Sequence, residues 1–357
     1  MKEGYFSKRI VEWYHEYHRD LPWRNTQDAY KIWLSEIILQ QTRVAQGLPY
    51  FEKFILNYPD VHSLAGAKER EVLRLWQGLG YYTRARNLHK CAKEVWQKLR
   101  GKFPDSFEEL KKLPGIGDYT AAAIASFAYH QRVAVVDGNV YRVLSRVFGI
   151  DANIASPEGK KIFTKKANEV ISFTDPALHN QAIMEFGALH CTPVNPLCDE
   201  CVLKMMCIAY KENLQHVLPV KIKKQKITTR HFYYFIIRSD SKILMTERKS
   251  KGIWKGLFDF PLHEEKKSVS PEKILNIYFS KAKGLLSSSE NQLSKQYKHV
   301  LSHQVLQAQF FVIDLPPGKI IPASFSQMNA QWFSLKQIEK LPKPALIARY
   351  LEDYFTQ

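Results

Sequence analysis

The sequence predicts two folded regions in succession: an all-α region at 1–218 and an α+β region at 231–357, joined by a basic linker at 219–230. Three observations predict this. From about Tyr5 to Tyr210 apolar residues recur three and four apart, the period of helices that bury one face. Beyond the linker the apolar runs shorten and fill with β-branched and aromatic residues, which suit strands. And 357 residues make about two domains at roughly 150 each.

Taken in order, the helical segments are Phe6–Tyr17, Ala29–Gln41, Ala45–Asn57, Glu69–Leu75, Ala85–Leu99 and Tyr119–Ala128. Breaks at Leu21-Pro22, Tyr58-Pro59, Gly78-Leu79-Gly80, Pro104-Asp105 and Pro114 to Gly117 separate them, spaced like turns of a compact all-α domain. Pro219 to Arg230 holds Lys221, Lys223, Lys224, Lys226 and Arg230 without an acid. It reads as a solvated linker, with phosphate contact as an added use. Strands are expected at Phe232–Ile237, Ile243–Thr246, Trp254–Phe260, Val305–Ile313 and Gln331–Phe333. A flexible loop is expected at Lys281–Gln292, around Ser287-Ser288-Ser289, and a helix between Ala345 and Tyr354. No internal repeat is visible.

Hydrophobic residues make up 45% and charged residues 24%, which argues against a disordered or fibrous chain. Lys plus Arg number 52 against 35 Asp plus Glu, a formal charge of +17. That surplus favours a polyanionic partner, nucleic acid ahead of an anionic membrane surface. The longest mostly apolar stretch, Thr120–Tyr129, falls short of the roughly 20 residues of a membrane span. The first 20 residues carry no apolar run of signal-peptide length. The expectation is an intracellular, cytoplasmic protein, nucleoid-associated if bacterial.

Five cysteines are too few for a disulfide scaffold. Cys91 lies alone in a helical pattern and reads as a buried bystander, whereas Cys191, Cys198, Cys201 and Cys207 fall together with x6, x2 and x5 spacing. Four thiols this close suit zinc or a 4Fe–4S cluster. Only Cys198 and Cys201 form the short pair typical of zinc ribbons, so the spacing favours the cluster and leaves zinc open.

Leu113-Pro114-Gly115-Ile116-Gly117 separates two helices. Gly115 and Gly117 allow a tight turn whose bare N–H groups, with the positive end of the next helix, make an anion site suited to a DNA phosphate. An ordinary helix–helix turn would look similar. After it, the apolar Val133–Val136 run ends at Asp137-Gly138-Asn139, where Asp137 reads as a helix N-cap, held rigidly as a catalytic carboxylate should be. Glu36 lies inside the apolar stretch Trp33–Leu39. A Glu there either points outward or is desolvated, and desolvation would raise its pKa toward that of a general acid. Two carboxylates in unlike environments suit glycosidic-bond cleavage through a cation-like state.

Together these motifs resemble the helix–hairpin–helix DNA glycosylases, and within them the branch that removes adenine mispaired with 8-oxoguanine. The agreement includes Leu21-Pro22-Trp23-Arg24, Trp33-Leu34-Ser35-Glu36, Leu39 to Val44, Gly78 to Tyr82, Asp137 to Val140 and Asn180-Gln181-Ala182. The resemblance implies an all-α glycosylase core with a 4Fe–4S loop at 191–207 held by Cys191, Cys198, Cys201 and Cys207. It implies Glu36 as the acid that protonates adenine N7 and Asp137 as the carboxylate that stabilises the sugar cation, supported by Tyr119 and Asn139. Arg19, Leu21, Trp23 and Gln181 would form the adenine pocket, and the base must leave the duplex to enter it. Gln41 and Tyr81 would wedge into the base stack, with Arg24 and Leu79 near the 8-oxoguanine. Gly115 and Gly117 would touch the DNA backbone. The second region resembles a Nudix-like domain in which Ser302 and His303 would read the oxidised base. His263-Glu264-Glu265-Lys266 does not supply the acidic metal box of a Nudix hydrolase. The implied partner is double-stranded DNA bearing adenine opposite 8-oxoguanine, and the implied state a monomer.

Tyr119 bears on mechanism. Related lyases carry a Schiff-base Lys at that place, and a phenol cannot form one. The expectation is a monofunctional glycosylase; Tyr141, where some relatives carry Lys, puts accessory lyase activity in doubt. Two other readings stand beside this one: a non-catalytic damage sensor, and an endonuclease III-like lyase acting on oxidised pyrimidines.

Overall fold

The computed structural model describes residues 2–222, 227–250, 252–279, 292–315, 321, 325 and 328–355. Lys223, Lys224 and Lys226 of the linker, and the loop expected at 281–292 up to residue 291, lie outside the described residues. The helices in chain order are α1 (Lys2–Tyr17), α2 (Ala29–Leu39), α3 (Val44–Asn57), α4 (Val61–Gly66), α5 (Glu69–Leu75), α6 (Thr83–Leu99), α7 (Phe107–Leu110), α8 (Asp118–Tyr129), α9 (Gly138–Phe148), α10 (Pro157–Val170), α11 (Pro176–Leu189) and α12 (Ile208–Lys211). By contact the chain falls into two units, one of residues 1–66 with 87–224, the other of 67–86 with 225–357. No described helix is long and apolar enough to cross a membrane.

Side-chain caps start several helices of the first unit. Asp28, Asp137, Ser156 and Asp175 each accept a backbone N–H at the head of α2, α9, α10 and α11, and Pro157 and Pro176 open the last two. α2 is apolar nearly all round and is buried from Tyr30 to Ile38 except at Lys31, packed between α8 and α3. Burying residues such as Trp33, Leu34 and Ile38 contributes about 1.5–3 kcal/mol each, enough for the helix to carry one desolvated carboxyl. A second core joins Phe6, Ile10 and Trp13 of α1 to Val143 and Leu144 of α9, Phe163 of α10 and Ile183 and Phe186 of α11.

The other unit is built on a sheet: β1 (Thr228–Ser239), β2 (Lys242–Glu247), β3 (Phe258–Asp259), β4 (Leu262–Glu265), β5 (Gln292–Leu293), β6 (Tyr297–Val300), β7 (Gln304–Asp314) and β8 (Ala330–Ser334). The main path runs β3-β2-β1-β7-β5, with β4 on β1, β6 on β7 and β8 on β2. β1 and β7 are parallel, Phe232 opposite Ala308 and Ile237 opposite Ile313; the other pairs are antiparallel. Tyr233, Phe235 and Ile237 face α13 (Pro271–Phe279) through Ile274 and Phe279, while Tyr234 stacks on Phe310 and Phe310 on Tyr350 of the last helix, Ala345–Phe355. The expected all-α region followed by an α+β region is the observed fold class.

Three local expectations need correction. The strand expected at Trp254–Phe260 is extended only at Phe258–Asp259, because Trp254 and Gly256 sit at positive φ and form a turn. The helix expected to reach Gln41 ends at Leu39: Gln40 turns to ψ 114° and Gln41 takes a left-handed φ of 55°. Residues 67–86, helical in pattern, group by contact with the sheet-bearing unit. Within it Gln77 accepts the Lys343 N–H at 3.0 Å, Arg86 donates to the Lys255 carbonyl at 2.6 Å and Arg70 lies 4.7 Å over the Phe258 ring.

Candidate active site

In the first unit a pocket of about 190 Å³ opens among α2, α8, α9 and α11. Glu36, Asp137, Tyr119, Asn139, Arg19, Leu21, Trp23, Arg24 and Gln181 all line it. Residues spread over more than 160 positions are thus brought to one cavity, by the packing of α8 on α2 and of α11 on α8 and α9.

Glu36 is 6% exposed. Burial drives its carboxyl up to about 7; the Tyr119 hydroxyl, donating to Oε2 at 2.6 Å, and the charge of Arg24 pull it down, while the nearby Asp137 charge pushes it up. Burial wins, so the group is half protonated near neutrality. The Tyr119 phenol, buried and facing two carboxylates, is raised well above its ordinary value and stays a donor.

Asp137 is also raised by burial but is held by more donors. Its Oδ1 accepts the N–H groups of Asn139 and Val140, both at 2.8 Å, and its Oδ2 accepts Asn139 Nδ2 at 2.7 Å. Burial raises its pKa, and these donors with the Arg142 charge oppose the rise. Asn139 is oriented in turn by Arg142, which donates to Asn139 Oδ1 at 2.8 Å, the Gly187 carbonyl at 2.6 Å and the Cys191 carbonyl at 2.7 Å. Gly187 lets α11 approach this point: a Cβ there would lie 2.7 Å from the Asn139 Cβ and 3.0 Å from its carbonyl oxygen. Gly187→Ala is therefore expected to displace Asn139 and slow the reaction this pocket carries roughly 10²-fold, the scale of a misplaced catalytic geometry, in single-turnover assays of a protein that still folds.

The far wall is ionic. Glu185 is 1% exposed and accepts Arg19 Nε at 2.7 Å and Arg24 at 2.7 Å. Burial alone would raise it, but the hydrogen bonds and charges of Arg19 and Arg24 outweigh that and hold it at about 2. Its stabilising contribution is complete above about 4.5 and is lost as pH falls toward 2. Glu185→Gln leaves two guanidinium groups unbalanced and is expected to cost about 2–4 kcal/mol, discounted for the partial exposure of Arg19. Equilibrium denaturation at pH 7 measures it. Glu185 and Tyr14, whose hydroxyl donates to Gln181 at 3.0 Å, were missed by sequence reasoning, since neither stands out from its helical pattern. The one available signal was that Glu185 is the single acidic residue of α11.

The remaining expected residues lie elsewhere. Gln41 is exposed at its left-handed position and is not part of this wall. Leu79 is buried in the second unit. There, Tyr81 is half exposed at a φ of 48°, its hydroxyl against that of Ser302; Ser302 and His303 are exposed. Gly115 has a φ of 78°, and a Cβ there would lie 2.7 Å from the Asn87 Cβ. Gly117 is the N-cap of α8 and both glycines are exposed, leaving backbone N–H groups open to solvent.

Cys191, Cys198, Cys201 and Cys207 line one small cavity and form no disulfide. Arg146 donates to Cys191 Sγ at 3.5 Å, and the Leu203 N–H to Cys201 Sγ at 3.4 Å. Arg146 also binds the carbonyls of Thr192, Gln215 and Leu218, so it folds the loop around the sulfurs. Among the described residues no group of three or more His, Cys, Asp or Glu side chains is gathered as a site for a single metal ion. Cys91 is buried.

Residues 34–171 match the HhH-GPD superfamily base excision DNA repair protein model, and residues 233–353 match a NUDIX domain. The chain is 35% identical to an adenine DNA glycosylase of Buchnera aphidicola subsp. Acyrthosiphon pisum over 99% of both chains. It is 38% identical to that of Buchnera aphidicola subsp. Baizongia pistaciae over 97% of this chain and 95% of the other. The mouse (Mus musculus) adenine DNA glycosylase is 31% identical, over 93% of this chain and 74% of its own. Among solved structures, a thermostable thymine-DNA glycosylase superposes with a TM-score of 0.55 and 28% identity, over 59% of this chain and 97% of that one. A non-covalent endonuclease III–DNA complex, at 21% identity and a TM-score of 0.51 over 59% and 96%, shares the fold.

Proposed function

The chain belongs to the adenine DNA glycosylases of the helix–hairpin–helix base-excision repair superfamily, and from that premise we propose that it removes adenine paired with 8-oxoguanine, or with guanine, and leaves an abasic site. Its action is that of a base-excision glycosylase on adenine; the opposing base and the chemistry are our reading. The observation that carries it is the pair of carboxyls in one pocket, Glu36 buried with a pKa of about 7 and Asp137 tied to three N–H donors.

The steps follow from those environments. The target adenine leaves the stack and enters the pocket, at a cost of a few kcal/mol. Protonated Glu36 gives its proton to N7, so the electron pair of the breaking N9–C1′ bond passes to a neutral leaving base. Positive charge develops at C1′ and the ring oxygen, and ionised Asp137 stabilises it. Water adds at C1′ and its proton returns to Glu36. Tyr119 keeps Glu36 in place, and Asn139 does the same for Asp137. With a phenol at Tyr119, no Schiff base forms there and the strand stays intact. The wall of Arg19, Arg24, Glu185 and Gln181 supplies donors and acceptors to the base edge.

Gly115 and Gly117 would seat a phosphate, Gln41 and Tyr81 would enter the stack, and Ser302 with His303 would read the 8-oxoguanine from the Nudix-like domain. That domain, placed at 231–357 behind a 219–230 linker and grouped by contact with 67–86, is a reader here and not a hydrolase. The four cysteines around one cavity fit a 4Fe–4S cluster, which would hold the loop 191–207 in shape and supply a one-electron centre. We place the protein in the cytoplasm, as a monomer, at the nucleoid if bacterial.

The test is a duplex with one adenine opposite 8-oxoguanine. Strand cleavage in the adenine strand only after alkali is the expected result. Cleavage without alkali, or efficient trapping by borohydride, would favour the lyase; tight binding without cleavage would favour the sensor.

A further inference from the structure

His190 closes α11 beside the first of the four cysteines and lines the same cavity. Its ring is 6% exposed, and Nε2 is fully buried with no hydrogen-bond partner. The ring plane is fixed, stacked on Phe186 at 4.9 Å and met edge-on by Trp13 at 5.9 Å. A buried polar atom without a partner is rare in a folded protein, and it asks what group would satisfy it. Nothing in the glycosidic chemistry uses this residue.

Resting on the cluster reading above, the structure assigns His190 as a hydrogen-bond donor, through Nε2–H, to a sulfur of the iron–sulfur group held by the four cysteines. A neutral imidazole carries a single N–H, and the four cysteine sulfurs line the cavity that the ring also lines. An N–H bond to a cluster sulfur withdraws electron density and favours the reduced partner of the one-electron couple. His190 is thus a tuning residue: it sets how readily the cluster gives up an electron, and leaves adenine removal to the pocket of Glu36 and Asp137.

Three measurements on the purified protein test this. Iron and sulfide analysis comes first; a protein without four irons removes the cluster reading and this assignment with it. Pulsed EPR of the oxidised cluster in protein labelled with 15N-histidine should then show a coupling from one imidazole nitrogen. His190→Phe keeps the stacking surface and removes the donor. It should retain full iron content, lose that coupling and shift the midpoint potential, read at an electrode, to more negative values, with His190→Gln restoring part of the shift. The Leu197 backbone carbonyl also faces the ring. If the proton stays on that side, Nε2 is a bare lone pair. Full iron with no 15N coupling and an unchanged potential in His190→Phe would overturn the assignment and leave the cluster reading standing.

Discussion

Glu36→Gln is expected to slow base release severely while binding and fold survive. A glutamine fills the same space, and its carbonyl oxygen still accepts the Tyr119 hydroxyl that Glu36 Oε2 takes at 2.6 Å. What is lost is the transferable proton. General acid catalysis contributes roughly 10²–10⁴-fold, so single-turnover rates on adenine opposite 8-oxoguanine should fall by that factor with unchanged retention of the duplex. In the native enzyme the acid form is active, so the rate should decline as pH rises through about 7. A variant that keeps its native rate, or a native profile flat from pH 6 to 8, would remove Glu36 from the role.

The same group makes a stability prediction of definite sign. Its folded pKa of about 7 lies above the ordinary 4.5, so the folded state binds the proton more tightly than the unfolded chain. There is no penalty below about 4.5; the cost grows between 4.5 and 7 and is complete above 7, at about 3 kcal/mol. Glu36→Gln should therefore lose little stability at pH 5 and gain it at pH 8, opposite to its effect on activity. Thermal melts at the two pH values measure the difference. A carboxyl that is merely buried would give the same stability difference without the loss of activity, so the two measurements together identify the catalytic group.

How much of this was legible in the sequence depends on the distance over which each feature is determined. Asp137 as a cap needs three residues, and its two backbone N–H bonds are those of a cap. The apolar run around Glu36 implied desolvation because α2 has no polar face to turn outward. The gathering of the four cysteines follows from a loop of 17 residues. Features set by packing across the chain were not visible. Glu185 becomes meaningful only once α11 brings it to Arg19 and Arg24, some 160 residues away. The grouping of 67–86 with the sheet-bearing unit rests on side chains such as Gln77 and Arg86 finding backbone groups beyond residue 250. The left-handed turn at Gln41 carries no glycine to announce it.

Asp137→Asn has the second large effect, and its local consequences can be followed atom by atom. The new amide oxygen can still accept the two backbone N–H groups that Oδ1 accepts at 2.8 Å, so α9 keeps its cap. The new amide nitrogen, however, faces Asn139 Nδ2, which now donates to Oδ2 at 2.7 Å. Two donors cannot pair. If Asn139 turns its amide to present oxygen, its nitrogen then faces Arg142, also a donor, at the place where Arg142 bonds Oδ1 at 2.8 Å. Either way one buried donor is unsatisfied, at about 1–3 kcal/mol, which the melting temperature will report. The activity loss should be larger, because the negative charge facing C1′ is gone; roughly 10²–10³-fold is the scale for removing one preorganised electrostatic partner. Asn139→Ala separates the contributions: it keeps the charge and removes only a support, so it should slow base release less than Asp137→Asn. If Asn139→Ala were as damaging as Asp137→Asn at equal stability, orientation and not charge would be what Asp137 contributes, and the cation-stabilising role would fail.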